Sequence, residues 1–168
     1  MPAQESNRSF KLETLFNLKG RVALVTGGGS GIGLMATRSL AVNGAKVYIT
    51  GRTKEKLDRV AELYSKEPPG QIIPIAADVT PKESIQKLVD EISAKESKLP
   101  ILINNADQED PKALQEQLFK NQGTVQEWEE VMRTNVTQLF FTTTAFLPLL
   151  NKGTENEHGW SSTVVNIS

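Results

Sequence analysis

Five short apolar, β-branched runs alternate along the chain with four stretches of helical periodicity, and this alternation limits the fold more than any other feature. The runs are RVALVTG (21 to 27), KVYIT (46 to 50), QIIPIAADV (71 to 79), ILINNA (101 to 106) and STVVNI (162 to 167). Between them, apolar residues recur at helical spacing: Ile32, Met35, Ala36 and Leu40, then Leu57, Val60, Ala61 and Tyr64, then Ile85, Leu88, Val89 and Ile92. The segment WEEVMRTNVTQLFFTTTAFLPLL (128 to 150) predicts a long fourth helix. Asn43-Gly44 reads as a helix stop, and Thr80-Pro81-Lys82-Glu83 as a helix start with a capping box. Pro74 weakens the centre of the third run. Strands alternating with helices imply right-handed βαβ units and a parallel sheet covered on both faces, which is a doubly wound α/β fold. Ligands of such sheets bind beyond the carboxyl ends of the strands, at the switch point. Attention therefore falls on Gly27 to Gly33, Gly51 and Arg52, Asp78, and Asn104 to Asp107.

Composition excludes several function classes. At 168 residues, 23% charged and with a formal net charge of -1, the chain is long enough for one sizeable core and carries no basic excess for nucleic acid. Cysteine is absent, so disulfides, thiolate nucleophiles and zinc–thiolate sites are excluded, and the one histidine, His158, has no second ligand of its kind. The start, MPAQESNRSFKLETLF, has neither an apolar signal region nor an Arg-rich amphipathic pattern, and residues 1 to 19 read as a polar tail. The most apolar stretch, 136 to 150, is too short to span a bilayer and contains Gln138, four threonines and Pro148. It is expected to pack on the core or on a partner subunit. No membrane association and a cytoplasmic setting are the expectations.

TGGGSGIG (26 to 33) lies between the first run and the first helix. Glycines there let the backbone turn tightly and approach a pyrophosphate, which unpaired N–H groups and the positive end of the helix dipole can hold. A ligand-free glycine turn is the plainer alternative; the independent strand and helix signals on either side favour a ligand. Leu34 and Met35 follow Gly33 where a P-loop needs Lys and Ser/Thr, which disfavours a nucleoside triphosphatase. No register satisfies G-x-G-x-x-G, whereas T-G-x-x-x-G-x-G fits with Gly27, Gly31 and Gly33. About 20 residues beyond the turn, an NAD site places an acid that accepts the ribose hydroxyls. Here the second run is followed by Gly51 and Arg52. A carboxylate would repel a 2'-phosphate and a guanidinium can bind it in a fork, so NADP(H) is the expected cofactor.

With these motifs the sequence resembles the short-chain dehydrogenase/reductase family. NNAD (104 to 107) stands for the family's N-N-A-G, DVT (78 to 80) for its third-strand D-V, MRTNVT for its helix asparagine and VVNIS for the lead-in to its fifth strand. WEEVMRTNV and FLPLL look like the branch containing 3-oxoacyl-thioester and related carbonyl reductases. The resemblance spans roughly residues 20 to 168 and implies a Rossmann fold that binds NADP(H) and transfers hydride to a carbonyl or from an alcohol. It implies that Ser30, Gly31 and Ile32 hold the pyrophosphate, that Asp78 and Val79 meet the adenine edge, and that Asn105 and Ala106 line the adenosine ribose. Asp78 is equally placed to cap the following helix, and the asparagines to satisfy loop carbonyls.

In that family a tyrosine moves the proton, a lysine four residues on lowers its pKa, a serine orients the carbonyl oxygen, and a helix asparagine, here Asn135, supports a water relay. A polar break in a buried helix face is the structural alternative for Asn135. Tyr48 is followed four residues on by Arg52 and Tyr64 by Pro68, so no Y-x-x-x-K occurs. Ser168 aligns just before the family's serine. The expectation is therefore the N-terminal part of a reductase, truncated after the fifth strand with a raw sheet edge, or else an inactive nucleotide-binding or interaction fragment. Pairing with a second copy through the fourth helix is expected, as are two effects near the cofactor: the charge of Asp107 and a solvated loop over 107 to 127.

Overall fold

A computed structural model describes residues 11 to 66, 69 to 105, 125 to 155 and 161 to 167, with backbone alone for Glu127, Trp128 and Glu130. The elements are α1 (Leu12–Leu15), β1 (Val22–Thr26), α2 (Gly31–Val42), β2 (Lys46–Gly51), α3 (Lys54–Tyr64), β3 (Gln71–Ala76), α4 (Lys82–Ser93), β4 (Ile101–Asn105), α5 (Val125–Met132), α6 (Gln138–Glu155) and β5 (Thr163–Ile167). A π-helical segment, Arg133–Thr137, joins α5 to α6. The strands form one sheet in the order β3-β2-β1-β4-β5, and all pairings are parallel. The doubly wound fold expected from the alternation is the fold observed.

Burial explains the sheet order. Every residue of β1 is buried, because β2 and β4 flank it and helices cover both faces. Alternate residues feed two cores. Val22 and Leu24 join Tyr48, Ile75, Ile85, Leu88, Ile92, Leu102, Phe146 and Leu149 on the α4/α6 side. Ala23 and Val25 join Val47, Ile49, Ala41, Leu57 and Val60 on the α2/α3 side. Pro74 is tolerated in β3 because that strand is the sheet's edge, so one side of its backbone needs no ladder partner.

Three local expectations are corrected. In α2, Ala36 and Leu40 pack half-buried against the α2/α3 core as expected, but Ile32 and Met35 are exposed, and the fully buried positions are Gly33, Thr37 and Ala41. Small residues four apart let this helix lie close against the sheet, and a bulky stripe would hold it off. The Thr80 capping box does not form: α4 starts one residue later with Pro81 as its cap residue and no side-chain cap, and the Asp78 carboxylate accepts the Thr80 N–H instead (2.9 Å). The fourth helix starts at Val125 and contains the π-helical segment, and Pro148 lies within α6. The fifth strand is an exposed edge of the sheet, as expected, with Val164 and Val165 at 36% and 41% exposure. The stop at Asn43-Gly44 holds: Gly44 takes φ +99°, and the Ala45 and Gly44 N–H groups bond back to Leu40 O and Ala41 O (3.1 and 3.0 Å), a Schellman arrangement. Ahead of β1, Leu18 packs against the α2/α3 core and its N–H bonds Asn43 O.

Candidate functional site

The strand order reverses between β1 and β4, and a cleft opens there at the carboxyl ends. Its larger lobe, about 90 Å³, is lined by Gly27, Gly51, Arg52, Asp78, Val79 and Asn105, with Thr134 and Gln138 from the far side. A smaller lobe of about 20 Å³ shares Gly27, Gly51 and Arg52 and adds Gly29, Ser30, Thr53 and Lys56. Residues from four strand ends and from the 133 to 138 helical turn thus converge on one concavity.

The glycine turn is built by backbone freedom and by close approach. Gly27 (φ +63°) and Gly31 (φ +50°) adopt left-handed backbone that side chains disfavour. A Cβ on Gly33 would collide with the Gly27 carbonyl oxygen and lie 2.8 Å from Asn105 Nδ2, so this glycine lets α2 close onto the turn. Thr37 Oγ1 donates to Gly33 O (2.8 Å) and also lies 3.3 Å from Gly28 O, pinning turn to helix. Ser30 is the extended N-cap of α2, its hydroxyl makes no capping bond, and the first turn holds no acid. The first intrahelical bond there is Leu34 N–H to Ser30 O. The preceding N–H groups and the dipole of a 12-residue helix are therefore suited to an anion.

The β1 and β4 ends are locked to each other. Asn105 N–H donates to Thr26 Oγ1 (3.0 Å), the Thr26 hydroxyl donates to Asn105 O (3.2 Å), and Asn105 Nδ2 reaches Gly27 O (3.4 Å). The two asparagines divide their work: Asn105 lines the cleft, while the buried Asn104 spends Nδ2 on Thr143 Oγ1 (3.0 Å) and Asn166 Oδ1 (2.9 Å), tying β4 to α6 and β5. Asp78 lines the cleft, and one of its carboxylate oxygens accepts the Thr80 N–H in a local turn ahead of α4; it does not cap that helix, whose N-cap residue is Pro81. Ile32 is exposed at the start of α2, and Val79 is buried beside Asp78. Asn135 sits in the π-helical segment, a form of bulge frequent at functional sites, and its buried Oδ1 has no hydrogen-bond partner among the described residues. Its neighbours Thr134 and Gln138, not Asn135, line the cleft. Ala106, Asp107, the loop to 124, His158 and Ser168 lie outside the described residues.

Sequence reasoning missed Thr26, Thr37, Thr134 and Gln138. Thr37, one turn after Gly33, carried a usable signal, since a hydroxyl there can reach a glycine-turn carbonyl. Neither tyrosine lines the cleft. Tyr48 is buried in the core and donates to Glu96 Oε1 (2.7 Å), which Lys46 also grips (2.8 Å). Burial first, then the Glu96 carboxylate, pushes its phenol well above the ordinary tyrosine range. Tyr64 lies under the Arg38 guanidinium, 4.5 Å from ring centre to Cζ.

The same arrangement occurs in known proteins. The family model described as short chain dehydrogenase matches residues 21–168. The short-chain dehydrogenase/reductase PhomF of Diaporthe leptostromiformis is 37% identical over 83% of this chain and 50% of its own. The rhamnolipids biosynthesis 3-oxoacyl-[acyl-carrier-protein] reductase of Pseudomonas aeruginosa is 36% identical over 90% of this chain and 56% of its own. Among solved structures, the Pseudomonas aeruginosa RhlG/NADP active-site complex superposes with a TM-score of 0.73 at 34% identity, covering 91% of this chain and 54% of that one. A short chain dehydrogenase from Shigella flexneri complexed with NADP gives 0.69 at 33%, covering 81% and 56%. The chain thus spans about half the length of the relatives it matches. A five-stranded parallel sheet, a glycine turn at its switch point and these matches over nearly all of the chain agree: the protein belongs to the short chain dehydrogenase family of oxidoreductases.

Proposed function

We propose that residues 20 to 168 form the nucleotide-binding unit of an NADP(H)-dependent oxidoreductase that reduces a small-molecule carbonyl or oxidises the corresponding alcohol. The single observation that carries the cofactor reading is at the end of β2. There Arg52, not a carboxylate, stands where the two lobes of the cleft meet. The two neighbours complexed with NADP support the same reading.

The residues fit the cofactor. Gly27, Ser30, Gly31, Ile32 and Gly33 would hold the pyrophosphate, through the start of α2, which has no side-chain cap, and the glycine-rich turn before it. Arg52 would pair with the 2'-phosphate, Asp78 and Val79 would meet the adenine, and Asn105, with Ala106 after it, would bound the adenosine ribose. When bound, NADP(H) supplies the hydride. Asn135, with its unpartnered carbonyl oxygen, is suited to orienting a water for the proton path. These 168 residues contain no Tyr-x-x-x-Lys, and Tyr48 is buried in the core and does not line the cleft, so it is not placed to donate a proton there. Hydride transfer is therefore proposed for a chain that joins these residues to such a pair, and cofactor binding for these residues by themselves. That same sequence fact favours a second reading for the isolated chain, an inactive nucleotide-binding fragment.

Pairing with a second copy through α6 belongs to the same proposal. It is supported by Phe140 and Leu147 on α6, 61% and 52% exposed, and by Val136 in the π-helical segment before it, 54% exposed. A cytoplasmic setting is proposed on composition alone.

Fluorescence titration tests the cofactor assignment. NADPH is expected to bind more tightly than NADH, and Arg52→Asp to lose about tenfold or more in NADPH affinity while gaining for NADH. A preference for NADH that Arg52→Asp leaves unchanged would refute the assignment.

A further inference from the structure

The smaller lobe of the cleft differs from the larger in charge. Asp78 faces the larger one, whereas the smaller is bounded by two cations, Arg52 and Lys56, and the hydroxyl residues Ser30 and Thr53, with no carboxylate among its lining residues. The two lysines at the start of α3 are not equivalent. Lys54 is paired with Asp58 one turn on, and Lys56 is the one that lines the lobe. Lys56 lies beside the glycine turn, its Cβ 3.9 Å from where a Cβ on Gly29 would stand, at ordinary contact distance. Thr53, the N-cap of α3, makes no side-chain capping bond, which leaves the first turn of an 11-residue helix without that anchor.

We propose that Lys56 is a specificity-determining residue: its ammonium shares the cofactor's 2'-phosphate with Arg52, making the smaller lobe a two-cation phosphate subsite. The inference rests on the NADP(H) reading and extends it to a residue that the strand-end pattern does not reach. A terminal phosphate presents three oxygens and carries nearly two negative charges at neutral pH. A guanidinium fork satisfies two oxygens in one plane, and a lysine is a movable point charge suited to the third. Because Lys56 is exposed, its contribution is a modest factor that salt reduces.

The test is calorimetric titration of the 168-residue chain and its Lys56→Gln, Lys56→Arg and Lys54→Gln variants. The ligands are NADPH, NADH, 2',5'-ADP, 3',5'-ADP and inorganic phosphate, at low and physiological salt. Lys56→Gln is expected to weaken NADPH and 2',5'-ADP about fivefold, to leave NADH within about twofold, and to flatten the salt dependence. Lys56→Arg is expected to retain NADPH affinity and Lys54→Gln to change nothing. Equal losses for NADPH and NADH would make Lys56 structural, and no loss for either would remove it from the subsite; each overturns the inference while the cofactor reading stands. Binding of 3',5'-ADP or phosphate as tightly as 2',5'-ADP would reassign the lobe to phosphates at large. Failure of the unaltered chain to bind NADPH or NADH would sink the underlying reading itself.

Discussion

β1 and β5 share two valines and a threonine, VALVT and TVVNI, yet every residue of β1 is buried and none of β5 is. Both are β-branched and apolar, and both pair in parallel with β4. What differs is position: β1 has a strand on each side and a helical layer on each face, whereas β5 ends the sheet. Composition therefore reports that a segment is extended, and neighbours decide how much of it leaves water. The lesson carries to the cleft, because the switch point exists only where β1 has two neighbours whose connections depart in opposite directions.

Truncations along the sheet would break or sharpen this contrast. The largest effect is expected from Leu24→Ala in β1, where a fully buried side chain leaves a cavity: a loss of about 3 kcal/mol in urea unfolding. Should it cost no more than a β5 truncation, the contrast between the strands is wrong. Next is Tyr48→Phe on the adjacent strand β2, which removes the phenol that caps Glu96; about 1 kcal/mol is expected at neutral pH. Its pH dependence has a definite sign. The folded phenol is held above the unfolded value of 10.0, so its contribution is complete below about pH 10 and is lost as pH rises beyond it. Chemical denaturation across that range should show wild type declining more steeply than Tyr48→Phe, and parallel curves would remove Tyr48 as the cause. The smallest effect is expected from Val165→Ala at the sheet edge, about 0.5 kcal/mol or less in the same urea assay. A loss of several kcal/mol there would mean that β5 is buried in solution by something that covers this edge.

Within the cleft, legibility in the sequence followed the range of the forces. Gly27 and Gly31 were readable because a left-handed backbone is a property of one residue, and the structure puts both at positive φ. Arg52 and Asp78 were readable because each follows a strand, and both line the cleft. Thr26, Thr134 and Gln138 were not, since each reaches the site only through the fold: Thr26 bonds Asn105, 79 residues on, and Thr134 and Gln138 line the cleft from its far side. In α2 only half of the expected stripe held, Ala36 and Leu40 against the core, while Ile32 and Met35 were misread for a related reason. Hydrophobic spacing marks a helix, but the sheet it lies against selects small residues over large ones at the contact.

By itself the sequence determined the order of strands and helices, the glycine turn and the cation at the end of the second strand. These depend on side-chain periodicity and on backbone freedom within a few residues. Only the tertiary structure decided that the first strand is the central one, that Pro81 and not Thr80 is the N-cap residue of α4, and that two lobes of one cleft meet at Arg52. Those outcomes depend on which distant surfaces exclude water from each other, and local pattern carries no record of that competition.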